Sequence, residues 1–328
     1  MQYRNFGTTG LRVSEIGFGA WAIGGDAMIG STAIGWGPAD DALSREAISA
    51  ALDAGINFFD TADIYGLGHS EELLGKELKG KDVIIATKAG NVARNNEFTV
   101  DYTKDYILEA CEKSLVRLQR DVIDYYQLHT ARIKHLESGE CIEAMQQLQQ
   151  EGKIRYWGIS LNTFEPAAEA DYFMKQDLGN GFQIVLNIIN QRGLEIIKKA
   201  AAKGYGIIAR MPLQFGLLSG KFTEATTFPE TDHRHNRLTP DVIKEANEAL
   251  QPVWQLCAHY GITETQLALS YILSYSEVST VIPGIRTKAH VQQNTTGLVS
   301  LDKLDMDRIE KLGTTTMAQL MDTIERKG

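Results

Sequence analysis

Ile56-Asn57-Phe58-Phe59-Asp60 is a short apolar run that ends in a carboxylate, and its pattern returns along the whole chain. Val83-Ile84-Ile85-Ala86-Thr87 runs into Lys88, Tyr125-Tyr126-Gln127-Leu128 into His129, and Trp157-Gly158-Ile159 into Ser160. Working outward, eight such runs appear, at residues 15–20, 57–61, 83–88, 124–129, 154–160, 182–187, 206–210 and 278–283. Each is short and mostly apolar throughout, as a parallel strand buried on both faces must be. Helical spacing fills the gaps. Leu43, Ile48 and Leu52 form one stripe, closed by Gly55. Ser70 reads as a cap, with Glu71 and Glu72 in the first turn of a second helix. Ile107-Cys111-Leu115-Leu118 and Ile142-Met145-Leu148 mark two more. Eight strands with helical crossovers predict an α/β fold, a closed (β/α)8 TIM barrel. An open doubly wound sheet is the alternative.

The surplus segments refine this expectation. Residues 3–6 and 11–14 flank the turn Gly7-Thr8-Thr9-Gly10, so the chain opens with a β-hairpin. Residues 24–40 and 213–240 are long loops that come after strands, which places both at the C-terminal mouth of a barrel, and loops of that length are usually functional. Residues 241–260 and 305–324 read as two extra helices. No linker or repeat divides the chain, so residues 1–328 are expected to form a single barrel domain.

Composition narrows the function. The 328 residues are 43% hydrophobic and 23% charged, with a formal net charge of −9. So acidic a chain is a poor nucleic-acid binder and is not drawn to an anionic membrane. Any anion must find a local basic pocket. Cys111, Cys141 and Cys257 are widely spaced and odd in number, which suits a reduced protein and offers no metal-ligand pattern. The opening residues carry no signal pattern and no stretch approaches a membrane span, so a cytoplasmic protein is expected. Gly17-Phe18-Gly19-Ala20-Trp21-Ala22 matches a relaxed dinucleotide fingerprint. The segment after it is a Gly-rich loop, with no acidic strand end about 20 residues on, so it reads as a barrel strand leading into a loop.

The strand-end residues carry the chemistry. In a barrel, Asp60, Lys88 and His129 end neighbouring strands at the mouth, where catalytic groups of barrel enzymes sit. Asp60 can hold Lys88 charged. Tyr65, five residues past Asp60, can bend back over the mouth. An ammonium beside the phenol lowers its pKa, and His129 can donate to the same oxygen. Together these groups form a proton donor with an oxyanion hole, suited to a carbonyl becoming an alkoxide. Asp60–Lys88 could equally be a structural ion pair, and Tyr65 a packing aromatic. A Schiff-base enzyme with Lys88 as nucleophile uses the same four residues.

The ordered set resembles the aldo-keto reductase family, in its bacterial branches, from Tyr3 to about Asn294. The resemblance rests on Phe6-Gly7-Thr8-Thr9-Gly10-Leu11, Phe59-Asp60-Thr61-Ala62-Asp63-Ile64-Tyr65-Gly66, Ala86-Thr87-Lys88, Leu128-His129 and Gly158-Ile159-Ser160. It continues through Gln183 with Asn187, Pro212-Leu213, Leu217-Leu218-Ser219-Gly220-Lys221-Phe222 and Ile282-Pro283-Gly284. It implies a TIM barrel that reduces aldehydes and ketones with NAD(P)H, with Asp60, Tyr65, Lys88 and His129 as the catalytic tetrad. Arg286, beside a glycine and a helix start, suits a 2′-phosphate, so NADP(H) is expected in preference to NAD(H). It implies Ser160 and Gln183 on the nicotinamide carboxamide, and Trp21, Arg210, Pro212 and Leu213 around the ring. Lys221 and Arg234 would then lie over the pyrophosphate, Gly284, Arg286 and His290 at the 2′-phosphate, and Gln293 and Asn294 at the adenine. Three departures stand out. Leu161 separates Ser160 from Asn162. Arg210 stands where many members have a tyrosine. His290 replaces a usual arginine, leaving Arg286 most of the phosphate charge. Trp21, Trp36 and Tyr65 are expected to line the substrate pocket. The expected partner is a small carbonyl substrate, and the expected state a monomer or small homo-oligomer. A cofactor-binding regulatory subunit, as in channel-associated relatives, is the reading from another class.

Overall fold

The computed structural model describes residues 1–327. We number its strands β1 (Tyr3–Asn5), β2 (Arg12–Ser14), β3 (Phe18–Gly19), β4 (Met28–Ile29), β5 (Thr32–Ala33), β6 (Phe58–Asp60), β7 (Ile84–Ala89), β8 (Asn91–Arg94), β9 (Glu97–Val100), β10 (Ile123–His129), β11 (Ile154–Ser160), β12 (Gly181–Val185), β13 (Gly206–Arg210) and β14 (Thr280–Ile282). Eight of them pair in parallel in the order β3-β6-β7-β10-β11-β12-β13-β14. Backbone bridges join the last to the first: Gly17 N donates to Val281 O at 2.8 Å and Gly19 N to Pro283 O at 3.0 Å. The fold is the expected (β/α)8 barrel. Gly19 permits that closure, because a Cβ there would lie 2.7 Å from the Pro283 carbonyl oxygen.

Alternation along the strands explains why the runs are apolar throughout. Phe59, Ile85, Tyr126, Ile159, Phe182 and Ile207 belong to the large core shared with the helices. Phe58, Ile84, Tyr125 and Ile208 belong to a second core, which also holds Phe6, Leu11 and Val13 of the β1–β2 hairpin and its turn. Successive side chains in a strand point to opposite faces. The first set therefore faces the helical layer and the second the barrel axis, where the hairpin caps the end opposite the site. Two residues beyond the inward Phe58, Asp60 again faces inward; four beyond Ile84 and Tyr125, so do Lys88 and His129. The fold thus delivers polar side chains to one end of an otherwise apolar interior.

Several local expectations need correction. In helix Asp41–Asp53 the buried positions are Ser44, Ala47, Ile48 and Ala51, and Leu43 is 47% exposed. Ser70 does not cap helix His69–Glu77. It lies inside the helix, whose N-cap is Gly68, and its hydroxyl bonds to Thr61 Oγ1 at 2.8 Å and to the Ala20 carbonyl at 3.0 Å. Residues 305–324 form two helices, Lys303–Gly313 and Thr316–Arg326. Gly313-Thr314-Thr315-Thr316 combines poor helix formers, and the chain bends there to bury Met306 and Ile309 on one helix and Met317, Leu320 and Ile324 on the other. The loop 213–240 carries a 3-10 turn, Gln214–Ser219, before the extra helix Pro240–Tyr260. Two antiparallel ribbons, β4–β5 and β8–β9, rise at the mouth. No helix among the described residues is long and apolar enough to cross a membrane.

Candidate active site

A cleft of about 720 Å³ opens at the C-terminal end of the barrel. At its floor, Lys88 Nζ donates to Asp60 Oδ2 at 2.7 Å, to the Thr61 carbonyl at 2.7 Å and to Tyr65 Oη at 3.3 Å. The lysine side chain is 0% exposed and the aspartate 3%. Gln127 and Gln183 hold the other Asp60 oxygen, donating to Oδ1 at 3.2 and 2.6 Å. Burial alone would lower the Lys88 pKa, but Asp60 and Tyr65 outweigh it and hold the ammonium above its ordinary value. These partners favour the charged form of Lys88, whereas a Schiff-base role requires the neutral amine.

Tyr65 departs from the sequence expectation. Burial pushes its phenol above the ordinary value, and the opposing pull of Lys88 does not overcome it. The phenol therefore keeps its proton, and Lys88 acts on the phenolate that would form. His129 departs too. Its ring meets Tyr65 edge-on at 5.9 Å, rather than through the expected hydrogen bond. Burial, then repulsion by Lys88 and Arg210, holds the imidazole well below its ordinary pKa, so it is neutral. Its Nδ1 is buried without a partner. Trp21 packs across Tyr65 with ring centroids 4.7 Å apart.

All thirteen cofactor candidates line this one cleft: Trp21, Ser160, Gln183, Arg210, Pro212, Leu213, Lys221, Arg234, Gly284, Arg286, His290, Gln293 and Asn294. Ser160 Oγ lies 3.4 Å from Gln183 Oε1. Asn162 is outside the lining, and its side-chain Oδ1 accepts from the backbone N–H groups of Phe164 and Glu165 at 2.9 and 3.0 Å. Arg286 is more engaged than the sequence suggested, because its guanidinium donates to the Trp36 carbonyl at 3.2 Å and to the Pro38 carbonyl. Arg234 pairs with buried Asp232 through contacts of 2.9 and 2.6 Å and lies 5.4 Å from the Trp36 ring. Trp36 and Asp232 also form a backbone bridge. The two long loops thus meet over the cleft.

Some lining residues had escaped the sequence reading. The His233 ring packs against Trp21 at 6.0 Å and Phe215 at 5.7 Å. Asn91 and Phe98 reach the cleft from the β8–β9 ribbon, which is held to the β4–β5 turn by the Gly30 N–H donating to Asn96 Oδ1 at 3.0 Å. Gln127 had shown one signal, a polar residue inside an apolar run.

The comparisons with known proteins agree with this fold. Residues 15–314 match the profile of the Aldo/keto reductase family. The chain belongs to this family of oxidoreductases. It is 34% identical over 306 residues to aldo-keto reductase YhdN of Bacillus subtilis, covering 89% of this chain and 87% of that protein. The holo structure of aldo-keto reductase AKR11C1 from Bacillus halodurans superposes with a TM-score of 0.76 at 31% identity, covering 95% of this chain and 96% of the other. The structure of the glycerol dehydrogenase AKR11B4 from Gluconobacter oxydans gives a TM-score of 0.78 at 28% identity, covering 94% of each chain.

Proposed function

We propose that this protein reduces small aldehydes and ketones to alcohols, with NADPH preferred over NADH and Tyr65 as the general acid. The observation that carries the reading is the Lys88 ammonium, fixed between a buried carboxylate and a protonated phenol at the floor of an aromatic cleft. The remaining lining suits a nicotinamide dinucleotide phosphate. Asp60 is the only carboxylate lining the cleft among the described residues, whereas Lys221, Arg234, Arg286 and His290 are cations or potential cations on its walls. Such a wall matches phosphates in an otherwise acidic protein. One Gln183 amide N–H is committed to Asp60, and its carbonyl and the Ser160 hydroxyl, 3.4 Å apart, would exchange that long contact for the carboxamide. Arg286 and His290 would meet the 2′-phosphate, Lys221 and Arg234 the pyrophosphate, Gln293 and Asn294 the adenine. Trp21, Arg210, Pro212 and Leu213 would flank the ring, with Gly284 allowing close backbone approach.

When bound there, the dihydronicotinamide supplies a hydride to the carbonyl carbon. Tyr65 holds the proton for the carbonyl oxygen. Lys88 stabilises the phenolate as that proton leaves, and Asp60 keeps Lys88 charged and aimed. Neutral His129 orients the same oxygen from the adjacent strand end. Trp21, Ile64 and Phe98 shield the reacting groups from water. A single barrel domain, working in the cytoplasm as a monomer or small homo-oligomer, completes the reading. The test is a panel of aliphatic and aromatic aldehydes and ketones, followed by loss of NADPH absorbance and by quantifying the alcohol. Carbonyl-dependent oxidation with one alcohol per NADPH is expected. Tight NADPH binding with no turnover on any carbonyl would favour the regulatory-subunit reading instead.

A further inference from the structure

Arg210 ends β13 at the rim of the cleft, and its surroundings are unusual for a charge. Its guanidinium donates to the Leu161 carbonyl at 3.0 Å, to Thr163 Oγ1 at 3.0 Å and to Met211 Sδ at 3.1 Å. All three acceptors are neutral. Its Nε is buried with no partner. No carboxylate among the described residues pairs with it. Asp60, the one carboxylate in the cleft lining, is already shared by Lys88, Gln127 and Gln183. The reacting end of the cleft thus holds two cations against one anion. The turn after Arg210 is fixed as well. Met211 adopts φ +54°, and its carbonyl accepts from Asn187 Nδ2 at 2.9 Å.

Arg210, Tyr65 and His129 line the same cleft, and the Arg210 charge there favours the Tyr65 phenolate and disfavours the His129 imidazolium. A hydride donor must lie in contact with a carbonyl whose oxygen rests on Tyr65. A nicotinamide ring bound there would come within reach of the same charge, in a partly desolvated cleft where charges interact strongly. The transferred hydride carries two electrons and a proton from ring to carbonyl carbon, and it leaves one positive charge on the ring. A buried guanidinium with no paired carboxylate, only partly offset by the field of Asp60, repels that charge and is indifferent to the neutral reduced ring.

We propose that Arg210 makes this cleft selective for the oxidation state of the nicotinamide, holding the reduced cofactor more tightly than the oxidised one. The proposal rests on the function proposed above and adds to it a redox-state preference that is independent of the 2′-phosphate. Its consequence is easy release of oxidised cofactor after each turnover, which suits a reductase. A tenfold preference also raises the potential of the bound two-electron couple by about 30 mV.

The experiment compares dissociation constants of NADPH, NADP⁺, NADH and NAD⁺ for the wild-type protein and for Arg210→Lys, Arg210→Met and Arg210→Gln, read by quenching of tryptophan fluorescence. Arg210→Gln keeps donors for Leu161 and Thr163, so it reports on charge even if Arg210→Met does not fold. In wild type the reduced form of each pair should bind more tightly. In the two neutral variants the ratio should fall about tenfold, mainly because the oxidised form gains affinity. Arg210→Lys should keep most of the preference. Equal weakening of both oxidation states in the neutral variants would overturn the proposal, as would a lysine variant that behaves like the neutral ones. Failure of wild type to bind any of the four nucleotides would remove the underlying reading, and the proposal with it. Nucleotide binding without a change in ratio removes the proposal alone.

Discussion

Replacing Lys88 by methionine isolates the ion pair at the floor of the cleft. The substitution keeps the length of the side chain and removes the charge, leaving the Asp60 carboxylate almost fully buried. Removing one partner of a buried pair costs about 3–5 kcal/mol, because the other charge is left uncompensated. The two amide donors, Gln127 at 3.2 Å and Gln183 at 2.6 Å, remain on Asp60 and offset part of that. The expected loss is therefore at the lower end, about 3 kcal/mol. Asp60→Asn alone should cost a similar amount, since Lys88 then keeps only the Thr61 carbonyl and the Tyr65 hydroxyl. The double variant removes both charges and should be less destabilised than the sum of the singles by about 2–3 kcal/mol, a coupling expected for residues in direct contact. Urea unfolding of the four proteins at pH 7, at constant m value, gives the cycle. All three variants should lose turnover. Additive losses in the double variant would refute the reasoning, because they would mean that the two charges stabilise the fold independently.

Neighbouring groups give further expected outcomes. Arg286→Ala should weaken NADPH by roughly 10- to 150-fold, about 1.5–3 kcal/mol. NADH should lose only the few-fold that comes from freeing the Trp36 and Pro38 carbonyls, and equal losses in titrations of both would count against a 2′-phosphate site. Asp63 has a buried oxygen without a partner, and burial, then repulsion from Glu71, holds its carboxyl well above the usual range. A raised folded pKa means that wild type loses stability as pH rises above about 3.9 towards the folded value. Asp63→Asn should therefore gain stability over wild type between pH 5 and pH 8, measured by urea midpoints, and an unchanged difference would contradict the assignment. Borohydride added during turnover should trap no adduct on Lys88, as judged by mass spectrometry of the intact protein.

The barrel was legible because both faces of each strand are covered, one by helices and one by the hairpin-capped interior, so the runs are apolar at every position. The mouth was legible for the same reason. A charge at the end of such a run, as at Asp60 or Lys88, stands out against its neighbours. What the sequence hid depends on tertiary context. Leu43 matched the helical period, yet small residues nearby, Ser44 and Ala47, face the core. The β4–β5 and β8–β9 ribbons are short and mixed in polarity, so no period marks them. The Tyr65 pKa direction was misjudged because the ammonium was visible in sequence and the depth of burial was not. Nothing in the local sequence marks His233 as a cleft residue, because its contacts with Trp21 and Phe215 are made only in the folded chain. Arg286 lines the cleft, and its contacts to the loop at residues 24–40 come from some 250 residues away in sequence.

The central claim is that Tyr65 gives its proton to the carbonyl oxygen as hydride arrives. Its most direct test is Tyr65→Phe, which keeps the ring packed on Trp21 and removes only the hydroxyl. Cofactor affinity, by fluorescence, and the single-turnover rate of NADPH oxidation with a reactive aldehyde should be measured on the same preparation. The account predicts NADPH affinity within a few-fold of wild type and a rate at least about 100-fold lower. A variant that binds NADPH and turns over at a near-normal rate would contradict it.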